Sequence, residues 1–195
     1  MIANTHRVVG EFLYQQLSPS NQRLVQKQRF VYGNVKPDIS KKYLQMSHYH
    51  RDNEEIIFKM LNDLLTTQAS IREFSENLGV LIHFFCDYTC IYHANDYLYE
   101  NHSIAKHLRY ELMLHRYTVK KLEKLKTVET IPFESVDEIQ KYVSQLTNRL
   151  NQVPLTRSVS EDFEEMMVLS LSVMQYIINQ YEFDKLLITH NKKEG

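Results

Sequence analysis

The stretch Val80-Leu81-Ile82-His83-Phe84-Phe85-Cys86-Asp87-Tyr88 decides the fold. It is apolar nearly all round, and a helix of that kind is buried rather than laid on a surface. Two residues in it do not belong in an ordinary core. His83 and Asp87 stand four apart, so on a helix they project from one face about 5–6 Å from each other. A buried carboxylate left without a partner costs several kcal/mol, so Asp87 needs a cation, a hydrogen-bonding partner or a metal.

Working outward, the same 3.6 period continues on both sides. Ser70 with Glu73 three residues on reads as a capping box that starts this helix. The spacing predicts a helix over residues 53–67, through Ile56, Ile57, Met60, Leu61 and Leu64. Upstream, helices are predicted over 5–17 and 21–32. Gly33 to Asp38, with Pro37, is predicted as a loop, because glycine and proline interrupt periodicity there. Downstream, helices are predicted from about Ser103, over 135–150 and over 160–181. The loop between the last two covers Asn151 to Val159, and a frayed tail starts at His190. The chain has only four Gly and four Pro in 195 residues, too few for the turns of a sandwich or barrel. The expected fold is therefore all-α, one multi-helix bundle spanning residues 1–195 as a single domain.

Composition excludes some roles. The hydrophobic share is 43% and the charged share 24%, ordinary for a globular chain. With 23 basic against 24 acidic side chains there is no global field to gather nucleic acid. Apolar runs are interrupted by His83, Asp87 and His93, so none reads as a transmembrane segment. No basic region followed by an apolar one opens the chain, so no signal peptide is visible and a cytoplasmic location is expected. Cys86 and Cys90 read as reduced core residues.

Polar spacing carries the chemistry. His107-Leu108-Arg109-Tyr110-Glu111 repeats the His-x-x-x-carboxylate arrangement on the next helix. His93 lies six residues beyond Asp87. On a straight helix it points about 120° away, so either it serves a different ion from His83 or the helix ends first. His6, Asp38, His48 and His50 lie upstream. Imidazole and carboxylate together suit catalytic zinc, which keeps open positions for water or substrate. His102 and His115 read as surface groups, and Lys120-Lys121-Leu122-Glu123-Lys124 as a solvated helix face. Tyr49, Phe84, Tyr88 and Tyr92 suit either core packing or the wall of a pocket.

The order of these residues resembles the zinc-dependent phospholipase C family, whose fold is shared more distantly by S1/P1-type nucleases. The family pattern runs His, Asp, His, His-x-x-x-Asp, His six residues later, then His-x-x-x-Glu fourteen residues after that. Here it reads His6, Asp38 in Lys36-Pro37-Asp38, His48 in Ser47-His48-Tyr49, His83 to Asp87, His93, and His107 to Glu111. The likeness spans about residues 5–115. It favours His48 over His50 as ligand.

The resemblance implies two or three zinc ions. Asp38, His48, His83 and Asp87 would hold one; His93, His107 and Glu111 a second; Asp87 and His6 a third. Asp38 would also serve as general base. Family members with a complete third site use an N-terminal Trp, and this chain has none, so Met1 or water would take that place. The implied activity is hydrolysis of a phosphoester by metal-activated water, with a phospholipid head group as one candidate substrate. A nuclease or nucleotidase on the same fold, and a non-catalytic helical protein with structural metals, are the alternatives.

Overall fold

The computed structural model describes residues 1–101, 103–152 and 157–191, with side chains as far as Tyr181. Among the described residues there are ten helices and no strands. In chain order they are α1 (Ala3–Gln15), α2 (Pro19–Gln22), α3 (Lys27–Ile39), α4 (His50–Thr66) and α5 (Ile71–Thr89). They continue as α6 (Ile91–Ala94), α7 (Asp96–Glu100), α8 (Ile104–Leu122), α9 (Val136–Gln152) and α10 (Val159–Asn191).

Helix α5 is the axis of the molecule. Every residue from Leu78 to Thr89 is buried, as an all-round apolar sequence requires. Its start is the expected capping box: the Ser70 hydroxyl accepts from the Glu73 amide, and the Glu73 carboxylate accepts from the Ser70 amide. Around it pack α3, α4, α9 and α10. The Cys86 Sγ lies 3.0 Å from Ser170 Oγ on α10, and both cysteines are free and buried.

One expectation is corrected. Residues 33–38 are not a loop, because α3 runs through them to Ile39 with Pro37 inside it. Gly33 marks a helix crossing instead. A Cβ there would run into the Glu76 carbonyl of α5 and stand 2.9 Å from the Gly79 Cα. Two glycines thus let the α3 and α5 backbones touch, and tertiary packing overrides the local breaking tendency. Pro37 removes one amide from the helical ladder.

The other helices fall within a few residues of their expected bounds, with two refinements. The predicted 21–32 helix is divided into α2 and α3. Helix α10 carries helical backbone to Asn191, well past its expected end at Tyr181 and past the expected start of the tail at His190. Residues 153–156 of the expected 151–159 loop, residues 192–195 of the tail, and His102 lie outside the described residues. No helix among the described residues is long and apolar enough to cross a membrane.

Candidate metal centre

Five histidines and three carboxylates meet at the end of α5. Three sets of ligand atoms each lie within 4.8 Å of one another: His6, His83 and Asp87; Asp38, His48 and His83; and His93, His107 and Glu111. All eight residues singled out in the sequence are therefore brought together.

Each arrives for a local reason. His83 and Asp87 come from consecutive turns of α5, and His83 Nε2 stands 3.3 Å from Asp87 Oδ2. Helix α5 then stops. Cys90 leaves the helical region with ψ 123°, and α6 restarts at Ile91. That break returns His93 to the cluster, 4.0 Å from Asp87 Oδ1. Of the two alternatives that the six-residue spacing left open, the helix does end first. His107 and Glu111 share a face of α8, with His107 Nε2 3.0 Å from Glu111 Oε1. Glu111 Oε1 is also 3.0 Å from His93 Nε2, and the two imidazole nitrogens are 3.2 Å apart.

His48 sits in an irregular segment before α4. Asn53 pins that segment by donating to the Ser47 carbonyl, while its own oxygen accepts from the buried Tyr88 hydroxyl at 2.6 Å. His48 Nδ1 reaches Asp87 Oδ2 at 2.8 Å and His83 Nε2 at 3.2 Å. Asp38 Oδ1, at the end of α3, is 3.9 Å from both of those ring nitrogens. His50 turns instead to Glu54, 3.4 Å away. From α1, His6 stacks on His83 with ring centroids 3.7 Å apart, its Nε2 3.2 Å from Asp87 Oδ1. The Met1 amino nitrogen also enters, 2.5 Å from Asp87 Oδ1, 3.0 Å from His93 Nε2 and 3.1 Å from Glu111 Oε1.

Two supports were not legible as site residues. The His83 Nδ1–H donates to the Asn34 backbone carbonyl at 2.8 Å, which leaves Nε2 with its lone pair facing the cluster. No side chain signals this contact; only the Gly33–Gly79 crossing does. The second is Asp162 of α10, buried at 1% exposure. It accepts from the Ile91 amide at 3.0 Å and the Tyr110 hydroxyl at 2.7 Å, and pairs with Arg157 at 2.5 Å. It thereby ties α6 and α8, which carry His93, His107 and Glu111, to α10.

The protonation states suit metal ligation. Burial works to raise the Asp87 carboxyl, but the Met1 amine, His93 and His6 outweigh it and hold it well below the usual range. Glu111 is lowered likewise, burial being outweighed by the Met1 amine, His107 and His93. Burial lowers the His93 imidazole to about 4 and carries His6 well below its ordinary value. Burial raises Asp38. Burial opposes charge on the Met1 amine, yet Asp87 and Glu111 raise it to about 12.

The donor set fits zinc. Two ligand atoms on one tetrahedral zinc stand about 3.3 Å apart, given bond lengths of about 2.0–2.1 Å. The separations within the His93, His107 and Glu111 set, and between His83 and both His48 and Asp87, cluster around that value. Both His6 ring nitrogens, Asp38 Oδ2 and His93 Nδ1 are buried without hydrogen-bond partners. Native interiors rarely leave such atoms unsatisfied, and bound ions are one reason they do so.

Of the four aromatics that fitted either a core or a pocket, Tyr88 and Phe84 are fully buried. Tyr92 is half-buried and stacked on His107 at 4.9 Å, and Tyr49 lies edge-on to Tyr99 at 4.6 Å and 5.6 Å from His93. His115 is half-buried beside Thr5.

Helices that converge five imidazoles and three carboxylates on one point define an all-α protein with groups that could hold metal ions. The family model for zinc dependent phospholipase C matches residues 5–163, and the chain belongs to that family. No curated protein and no solved structure matches the chain.

Proposed function

We propose that the protein is a zinc-dependent phosphoester hydrolase. The convergence of eight histidine and carboxylate side chains around Asp87, inside the segment that matches the family, carries this reading. One zinc would be held by Asp38, His48, His83 and Asp87, and a second by His93, His107 and Glu111. A third would be held by His6 and Asp87, beside the Met1 amine. Bound zinc supplies Lewis acidity, which acidifies water and offsets charge on phosphoryl oxygens.

The chain's own residues do the rest. The Asn34 carbonyl and the Asn53–Tyr88 pair hold His83 and His48 in their orientations. Asp38, whose Oδ2 is buried without a hydrogen-bond partner, would also take a proton from attacking water. Tyr49 and Tyr92 border His93 and His107, and an aromatic wall there would suit a quaternary ammonium head group.

The test is a metal assay followed by turnover. Purified protein supplied with zinc should hold at least two ions per chain. It should cleave bis(p-nitrophenyl) phosphate, and His93→Ala should abolish cleavage while the helical circular dichroism persists. A fully metallated protein that cleaves no phosphodiester, phosphomonoester or phospholipid would replace this reading with structural metals.

A further inference from the structure

Helix α8 presents one face to the metal centre and leaves an adjacent face uncovered. It packs chiefly on α1 and α10, and His107 and Tyr110 also meet Tyr92 of α6. On the open face Ile104 is 75% exposed and Leu108 48%, and Leu112, Met113 and Val119 are exposed as well. Ile104, Leu108 and Leu112 follow one another at four-residue intervals, so they form a stripe along the helix. His107 and Glu111 occupy the neighbouring strip, one residue back from Leu108 and Leu112. The far side of the stripe carries Lys106, Arg109, Arg116 and Lys120, all exposed. The only acid on α8 is Glu111, and it is buried in the cluster. The next acid, Glu123, lies past the helix end.

Around the helix the order is therefore metal ligands, apolar stripe, cations. A face with large apolar side chains beside unneutralised Lys and Arg suits an interface where hydrocarbon and negative charge meet. A second copy of the chain meets this face poorly, because a two-fold contact would set the same cations against each other. The two acids of α7, Asp96 and Glu100, are engaged by Arg51 at 3.2 and 3.7 Å.

We infer that the exposed face of α8 docks the protein on an anionic lipid bilayer, with Ile104, Leu108 and Leu112 at the acyl boundary and the cations on the head groups. That this would present the metal centre to lipid rests on the hydrolase reading; the docking itself does not.

Zinc-loaded protein is mixed with sedimenting vesicles of phosphatidylcholine alone, or of phosphatidylcholine with phosphatidylglycerol, at low and high salt. Binding is expected to the anionic vesicles and to weaken with salt. One cation near an anionic surface strengthens binding about fivefold, so the double variant R109Q/R116Q should bind about 30-fold more weakly. L108S/L112S should also lose binding at unchanged salt. Both should keep wild-type turnover of bis(p-nitrophenyl) phosphate, since none of these side chains enters the cluster. Absence of vesicle binding, equal binding to neutral vesicles, or variants that bind like wild type would overturn the inference. So would concentration-dependent dimerisation that the same substitutions abolish. Protein that binds vesicles yet cleaves nothing leaves the docking surface standing and removes the hydrolase reading. Protein that turns over the soluble diester without binding vesicles does the reverse.

Discussion

Asp87 reaches both halves of the cluster through its two oxygens. Oδ1 faces Met1 and His6, while Oδ2 faces His48 and His83. Glu111 serves His93 and His107 and is confined to one set. Asp87→Asn is therefore expected to lose more than one zinc per chain, and Glu111→Gln only one, as read by elemental analysis after dialysis. Activity in Asp87→Asn should fall beyond the about 10–100-fold typical of an outer-shell change. Equal metal loss in the two variants would show that Asp87 touches a single ion. The cysteines test the other extreme of burial. Burial pushes the Cys86 thiol up to about 12, and Cys90 is raised as well. The folded state favours the protonated thiol. Its contribution to stability is intact below the ordinary thiol value and is lost as pH rises from there toward 12. Neither thiol should react with a disulfide reagent at pH 8 unless the protein is unfolded. Prompt labelling of native protein would contradict the buried placement.

At the scale of elements, α3 and α5 set the site by where they cross. A Cβ at Gly79 would stand 2.8 Å from the Gly33 Cα and 2.9 Å from the Asn34 amide nitrogen, besides striking the Phe30 carbonyl. These atoms are backbone and cannot swing aside, so Gly79→Ala should force the helices apart. Overpacking of this kind costs about 1–3 kcal/mol. The Asn34 carbonyl that orients His83 moves with α3, so zinc affinity should fall about 10–100-fold as well. A variant with reduced melting temperature but unchanged zinc affinity would mean that the Asn34 contact does not matter to His83. The same crossing explains what the sequence could convey. The periodic helices were legible because an apolar face repeats along each of them, as in α4 and α5. Gly33 and Pro37 read in sequence as a loop because a glycine in a close helix crossing looks there like a glycine in a turn. Five of the eight candidate ligands were legible through their spacing, two pairs at i and i+4 with His93 between them; His6, Asp38 and His48 came only from the order of residues that the family resemblance implies. Asn34, Asn53 and Asp162 were not legible, because a backbone carbonyl leaves no mark and a buried Asp or Asn looks like any surface one.

At the scale of the molecule, the candidate ligands span Met1 to Glu111 and come from the segment before α1, α1, α3, the segment before α4, α5, α6 and α8, while among the described side chains α9 and α10 supply none. Any ion bound by them therefore joins elements distant in sequence and binds the folded chain far better than the unfolded one. Such binding stabilises by the logarithm of free metal over the dissociation constant, about 2.7 kcal/mol per site at a hundredfold excess. For a chain of this length, 1 kcal/mol moves the melting temperature by about 2–4 °C, so each zinc should add about 5–10 °C. The metal-free cluster is the weaker alternative: Asp38, Asp87 and Glu111 crowd together, and the Met1 amine is the one fixed positive charge beside them among the described residues. Stripping metal with a chelator should lower the melting temperature by at least one such step, and restoring zinc should return it. Far-ultraviolet circular dichroism at room temperature should change little, because the core around α5 is apolar and does not depend on the cluster. A melting curve unchanged by metal removal, with removal confirmed by elemental analysis, would mean that these side chains meet for reasons other than a metal. The buried, unpartnered nitrogens of His6 would then need another explanation.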